Sequence, residues 1–223
     1  MKNLKSNLLC GLALSLAASS SFAACNDQPI VFVHGYNSSP STWNTMVDRF
    51  EDYGYESCAL YTFGYDDMND SNRDSGADLA DYVDDVLADS DHTGYDKVTI
   101  IAHSNGGLVS RWYNVFEGGS EHINRFITLG TPHDGTTTAA SCVAISPACQ
   151  NMYPGSGFLE ALGSEGCDHA IWSDYDGVIL PNNSAKCDGD GTSDKIAWSE
   201  GIGHSELLTK GKPWQKVKKA LDM

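Results

Sequence analysis

Val98-Thr99-Ile100-Ile101-Ala102-His103-Ser104-Asn105-Gly106-Gly107 decides how this chain folds. Its first five residues are β-branched or apolar without interruption, as a strand covered on both faces requires. From Gly106 to Phe116 the pattern turns helical. Between strand and helix stands Ser104. A sharp turn at that point lifts a serine hydroxyl above the sheet, and small residues are needed around it because strand and helix approach closely. Gly106 and Gly107 meet that need. The usual pattern, Gly-x-Ser-x-Gly, has Ala102 in place of its first glycine, a change of one methyl. A plain strand-to-helix turn with a capping serine is the bland alternative.

Strand and helix patterns alternate on both sides of this turn. Upstream, Ile30-Val31-Phe32-Val33 is a second continuous apolar run, ending at His34. Ser41 to Tyr53 reads as a helix capped by Ser41, Glu56 to Phe63 as a strand, and Gly76 to Ala88 as an amphipathic helix with its aspartates outward. Downstream, Ile123 to Leu129 is a strand, and Ala170 to Trp172 and Lys195 to Trp198 are short late ones. Gly130 to Gly166 loses periodicity and is read as loop, with room for a small flap. Pro213 opens a last helix, where its missing N–H costs nothing. The alternation predicts an α/β fold with a mostly parallel sheet in one domain.

A serine hydroxyl is a poor nucleophile until a base takes its proton. On a sheet of this kind the partners follow in the order serine, acid, histidine. His122, His133, His169 and His204 come after Ser104. His204, in a glycine-flanked loop after the last strand, is the expected base. His122 suits a surface role, whereas spacing leaves His133 and His169 open. Asp176, in Ser173-Asp174-Tyr175-Asp176-Gly177, is the expected acid, with Asp174 its near competitor; turn chemistry explains either equally well. Two backbone N–H groups are needed for the oxyanion. Asn105 follows the nucleophile, and Tyr36 lies in the loop after the first strand. His34 precedes the nucleophile and is read as a structural hydrogen-bonding group.

The N-terminus carries Lys2 and Lys5, a short apolar core from Leu8 to Ala18, and Ser21-Phe22-Ala23. It is read as a signal peptide, residues 1–23, leaving 24–223 as the mature domain. Lipidation at Cys25 is the lesser reading, since Phe22 stands where leucine is preferred. Beyond Cys10 there remain Cys25, Cys58, Cys142, Cys149, Cys167 and Cys187, an even number that suits three disulfides in an exported chain. Pairing in order gives Cys25–Cys58, Cys142–Cys149 and Cys167–Cys187. A zinc site would favour a Cys-x-x-Cys pair, and none is present. The net charge of −16 disfavours nucleic acid and anionic membranes as partners. Lysines crowd the last fourteen residues and are read as a solvated helix face. Asp188, Asp190 and Asp194 alternate as calcium ligands do, but without the glycine and glutamate of a full calcium loop; a polar turn is the preferred reading.

Pro29 to Gly35 followed by Ala102 to Gly107, then Ile127 to Pro132, Asp176 to Ile179 and Gly201 to Leu208, resembles the small secreted bacterial lipases, including the Bacillus type. The resemblance covers most of the mature chain. It implies a minimal single-domain α/β-hydrolase, a Ser104–His204–Asp176 triad, and cofactor-free hydrolysis of acyl esters or lipids by a monomer. It also favours Asp176 over Asp174, because the family's acid is followed by one variable residue and an apolar pair. Six mature cysteines depart from the Bacillus type. Asn105 stands where Met or Gln is frequent, which matters little if only its amide is used. A polyester or cutin-type depolymerase would use the same triad, and a non-catalytic binding protein would use none.

Overall fold

The computed structural model describes residues 25–89, 94–164, 166–187 and 191–223. The signal-peptide reading and the Asp188 and Asp190 positions lie outside these residues. Strand β1 is Ile30–Val33, followed by a 3-10 turn, Pro40–Trp43, and helix α1, Asn44–Tyr53. Then come β2 (Leu60–Phe63), α2 (Asn72–Ala88), β3 (Val98–His103) and α3 (Asn105–Phe116). A short α4 (Gly119–His122) leads into β4 (Ile123–Leu129). Two short helices, α5 (Pro147–Met152) and α6 (Gly157–Leu162), precede β5 (His169–Ser173), β6 (Thr192–Ile196) and α7 (Gly211–Ala220).

All six strands are parallel, in the order β2-β1-β3-β4-β5-β6. Alternate side chains of a strand face opposite sides, which is why β1 is apolar throughout. Ile30 and Phe32 join Ile101, Ile127 and Ile171 beneath α1 and α7. Val31 and Val33 join Ile100, Ala102 and Phe126 beneath α2 and α3. The strand order reverses between β1 and β3, where Val33 pairs with Ala102. Ligands bind parallel sheets beyond the carboxyl ends of the strands at such a reversal. His34 and Ser104 both lie just beyond those ends.

Several element boundaries differ from the sequence reading. Ser41 sits inside the 3-10 turn and caps nothing. Ser57–Ala59 form a 3-10 turn rather than the start of β2, around the Cys25–Cys58 disulfide. Helix α2 begins four residues earlier than expected, capped by the Ser71 side chain on the Asp74 amide. Strand β6 begins at Thr192 and ends before Trp198, which is 65% exposed. Helix α7 starts at Gly211, with Pro213 in its first turn. The aperiodic 130–166 segment holds α5 and α6, packed on Leu108 and Trp112 of α3 and tied by the Cys142–Cys149 disulfide. Cys167–Cys187 is the third bridge. Among the described residues no helix is long and apolar enough to cross a membrane.

Strand β6 is an edge strand, and Asp194 fastens it. Its carboxylate takes His169 Nε2 at 3.0 Å, Lys219 Nζ at 3.3 Å and Lys216 Nζ at 3.6 Å, joining β5, β6 and α7. Burial works to raise this carboxyl, but His169, Lys216 and Lys219 hold it below the ordinary 3.8. A carboxylate depressed in the folded state stabilises above its unfolded pKa, and that contribution is lost as pH falls through the folded value. Asp194→Asn is therefore expected to cost about 1–2 kcal/mol near neutrality. In urea titrations the gap from wild type should close well below pH 3.8. A gap that persists there contradicts the ionic account.

Candidate active site

Ser104 follows β3 and precedes α3 with φ 54° and ψ −128°. A non-glycine residue rarely adopts positive φ, and holding it there costs about 1–3 kcal/mol. The turn is fixed from both sides: Ser104 N–H donates to Leu129 O at 2.9 Å, and Gly107 N–H to Ser104 O at 3.1 Å. A Cβ on Gly106 would lie 2.3 Å from the His34 carbonyl oxygen, so only glycine lets the helix start abut β1. On the other side, a Cβ on Gly35 would lie 2.8 Å from Ser104 Cβ. The loop after β1 thus presses directly on Ser104.

His204 lies in the loop after β6, and its Nδ1 is 2.7 Å from Asp176 Oδ2. Asp176 is buried and His204 is half-buried. The other carboxylate oxygen, Oδ1, accepts the Val178 and Ile179 N–H groups at 2.8 and 3.0 Å, so the turn after β5 aims the acid at the imidazole. Asp174 instead pairs with Lys195 at 3.1 Å. With Nδ1 so engaged, Nε2 is the nitrogen left for chemistry. The His204 loop is itself held: Ser173 Oγ donates to Ile202 O at 2.6 Å, Gly203 N–H to Glu206 at 2.8 Å, and His103 Nε2 lies 3.2 Å from His204 O. Burial pushes the His103 pKa well down, aided by the neighbouring His204. His103 is therefore neutral, and bonds the carbonyl without adding a charge.

Ser104, His204 and Tyr36 line one cavity of about 340 Å³, with Ala139, Met152 and Leu208 among its apolar walls. Asn105 is the first residue of α3, where helix N–H groups have no intrahelical acceptor. Its side chain is engaged elsewhere, in a buried amide pair with Asn72 at 2.8 and 2.9 Å. The remaining histidines fall away from this cluster. His133 is buried with Nε2 3.0 Å from Thr128 Oγ1, His169 meets Asp194, and His122 lies in α4. His34 bonds Gly35 O at 2.9 Å and stacks on Tyr65. The sequence reading missed Tyr65, Asp67, Asn72 and His103. Only His103, beside Ser104, carried a local signal.

A parallel sheet with a strained serine at its reversal point and a late acid–histidine pair defines an α/β-hydrolase. The chain belongs to the class 2 lipases, whose family model matches residues 27–210. It is 30% identical over 122 residues to a triacylglycerol lipase of Pseudarthrobacter phenanthrenivorans, covering 52% of this chain and 36% of that one. It is 30% identical over 137 residues to a triacylglycerol lipase of Burkholderia plantarii, covering 56% and 37%. The chain spans little more than a third of the length of these relatives. Its fold is similar to that of a Bacillus licheniformis lipase in mature form, with TM-score 0.68 and 20% identity over 87% of this chain and 91% of that one.

Proposed function

We propose that the protein is an exported carboxylic ester hydrolase, with residues 1–23 removed and 24–223 acting as the catalytic domain. The observation that carries this reading is the 2.7 Å Asp176–His204 bond, made by an imidazole that shares a cavity with Ser104. Ser104 Oγ attacks the ester carbonyl while His204 Nε2 takes its proton. The Tyr36 and Asn105 amides hold the oxyanion. The intermediate collapses as His204 returns the proton to the leaving alcohol, giving an acyl-Ser104 ester. Water, deprotonated by His204, attacks that ester; the acid leaves and Ser104 recovers its proton. Asp176 holds the imidazole and stabilises its charged form. Three disulfides suit an oxidising compartment outside the cytosol.

The cavity, about 340 Å³, is near the small end of ligand pockets, and Thr42, Thr136, Thr138 and Ser141 bring hydroxyl-bearing side chains to its lining. Short and medium acyl chains are expected to be preferred. Across p-nitrophenyl acetate, butyrate, octanoate and palmitate, kcat/KM should peak at butyrate or octanoate and fall at least roughly tenfold at palmitate. A maximum at palmitate would reject the short-chain preference. No turnover of any ester would reject the hydrolase.

A further inference from the structure

The oxyanion reading asks two backbone amides, Tyr36 and Asn105, to point at one atom although they sit on different segments. One segment follows β1 and the other opens α3. A third segment, running from the loop after β2 to the first residue of α2, touches both. Tyr65 Oη donates to His34 O at 2.8 Å, two residues before Tyr36. Asp67 Oδ2 accepts the Ser38 N–H at 2.8 Å, two residues after it. Tyr36 is thereby bracketed by anchors from a single loop. Seven residues after Tyr65, Asn72 reaches the other segment: Asn105 Nδ2 donates to Asn72 Oδ1, while Asn72 Nδ2 donates back to Asn105 Oδ1. Asn72 opens α2, and its own N–H is taken by Asn151 Oδ1 at 2.8 Å. The carboxamide of Asn105 is thus held through both its nitrogen and its oxygen. Burial pushes the Tyr65 phenol up, so its hydroxyl keeps the proton it donates.

We propose that Tyr65 is a positioning residue that holds the oxyanion-binding Tyr36 amide in place by anchoring the His34 carbonyl, while Asn72, at the end of the same segment, holds the Asn105 carboxamide. This rests on the ester-hydrolase reading. Tyr65 need touch neither substrate nor triad. Its hydroxyl anchors the segment after β1, and its ring, stacked on His34 at 4.4 Å, holds that anchor in place. Catalytic donors must be held to within a fraction of an ångström of the oxyanion, and losing one donor outright costs roughly a hundred- to a thousandfold in kcat. Loosening one without deleting it should cost less, roughly ten- to a hundredfold.

The test is Tyr65→Phe, which removes the hydroxyl and keeps the stacked ring. Tyr82→Phe is the control, since the Tyr82 hydroxyl bonds only Thr62 O among described partners and lies outside the site. Active sites are counted with a p-nitrophenyl alkylphosphonate, so that rates refer to folded enzyme. For p-nitrophenyl butyrate, kcat per site should fall roughly ten- to a hundredfold with KM within about twofold. The inhibition constant of butaneboronic acid, a tetrahedral mimic, should rise by a similar factor, while Tyr82→Phe matches wild type. If Tyr65→Phe does not fold, Asn72→Ala frees the Asn105 carboxamide at the other end of the segment and is read identically. A kcat per site equal to wild type, or a lowered kcat with unchanged boronate inhibition, overturns the positioning role. Full activity in Ser104→Ala would instead bring down the hydrolase reading beneath it.

Discussion

Ser104→Ala abolishes ester hydrolysis, with kcat for p-nitrophenyl butyrate expected to fall by about five to six orders of magnitude, the scale seen when a serine hydrolase loses its nucleophile. The residue left over is what the oxyanion amides and the bound geometry still contribute, roughly a thousandfold over water. Alanine keeps the Cβ and hence the strain at φ 54°. Thermal stability should therefore stay near wild type, and the lost rate cannot be blamed on unfolding. Ser104→Gly is the sharper companion. It removes the same Oγ and also relieves the positive-φ cost, so it should be equally inactive yet more stable by about 1 kcal/mol. Retention of even a tenth of the wild-type rate by either variant would end the mechanism. Greater stability in Ser104→Gly alone would show that strain at the elbow is kept for its geometry.

The sheet was legible because burial on both faces leaves β1 wholly apolar and β3 apolar but for Thr99 and His103, and such runs survive any reading frame. The nucleophile turn was legible for a related reason: close approach of helix to strand demands glycine, and Gly106 shows why, with a backbone oxygen where its Cβ would be. Elements at the edges were harder. β6 buries only Ile196 well, so its polar residues carry no alternation and the strand was read three residues late. The start of α2 was hidden because Asn72 looks like loop, although it is fully buried. Its burial depends on Asn105, thirty-three positions away, and on Asn151. Polar networks of this kind have no period, and only the folded chain brings their members together. The Asn105 side chain illustrates the gap: the sequence reading gave it no role, and the structure pairs it with Asn72.

Asp176→Asn tests the part of the triad that composition could least decide, since thirty acidic residues compete for the role. Carboxylate-to-carboxamide changes at this position of a triad lower kcat about ten-thousandfold without disturbing the fold. The physical cause can be followed atom by atom. Asp176 Oδ2 accepts from His204 Nδ1, which fixes the tautomer with its lone pair on Nε2, toward the proton to be moved. Asn presents an N–H in one orientation and an uncharged oxygen in the other. The first turns the imidazole into the wrong tautomer, and the second leaves the imidazolium without its counter-charge in a buried site. Oδ1 also anchors Val178 and Ile179, so the oxygen of Asn is drawn to those amides and its N–H is left facing His204. The wrong tautomer is thus the favoured outcome. Asp174→Asn removes only an exposed pairing with Lys195 and should leave kcat within about twofold. Steady-state kinetics on both variants decide between the carboxylates. A large loss in Asp174→Asn with little in Asp176→Asn would reverse the assignment and detach His204 from the chemistry.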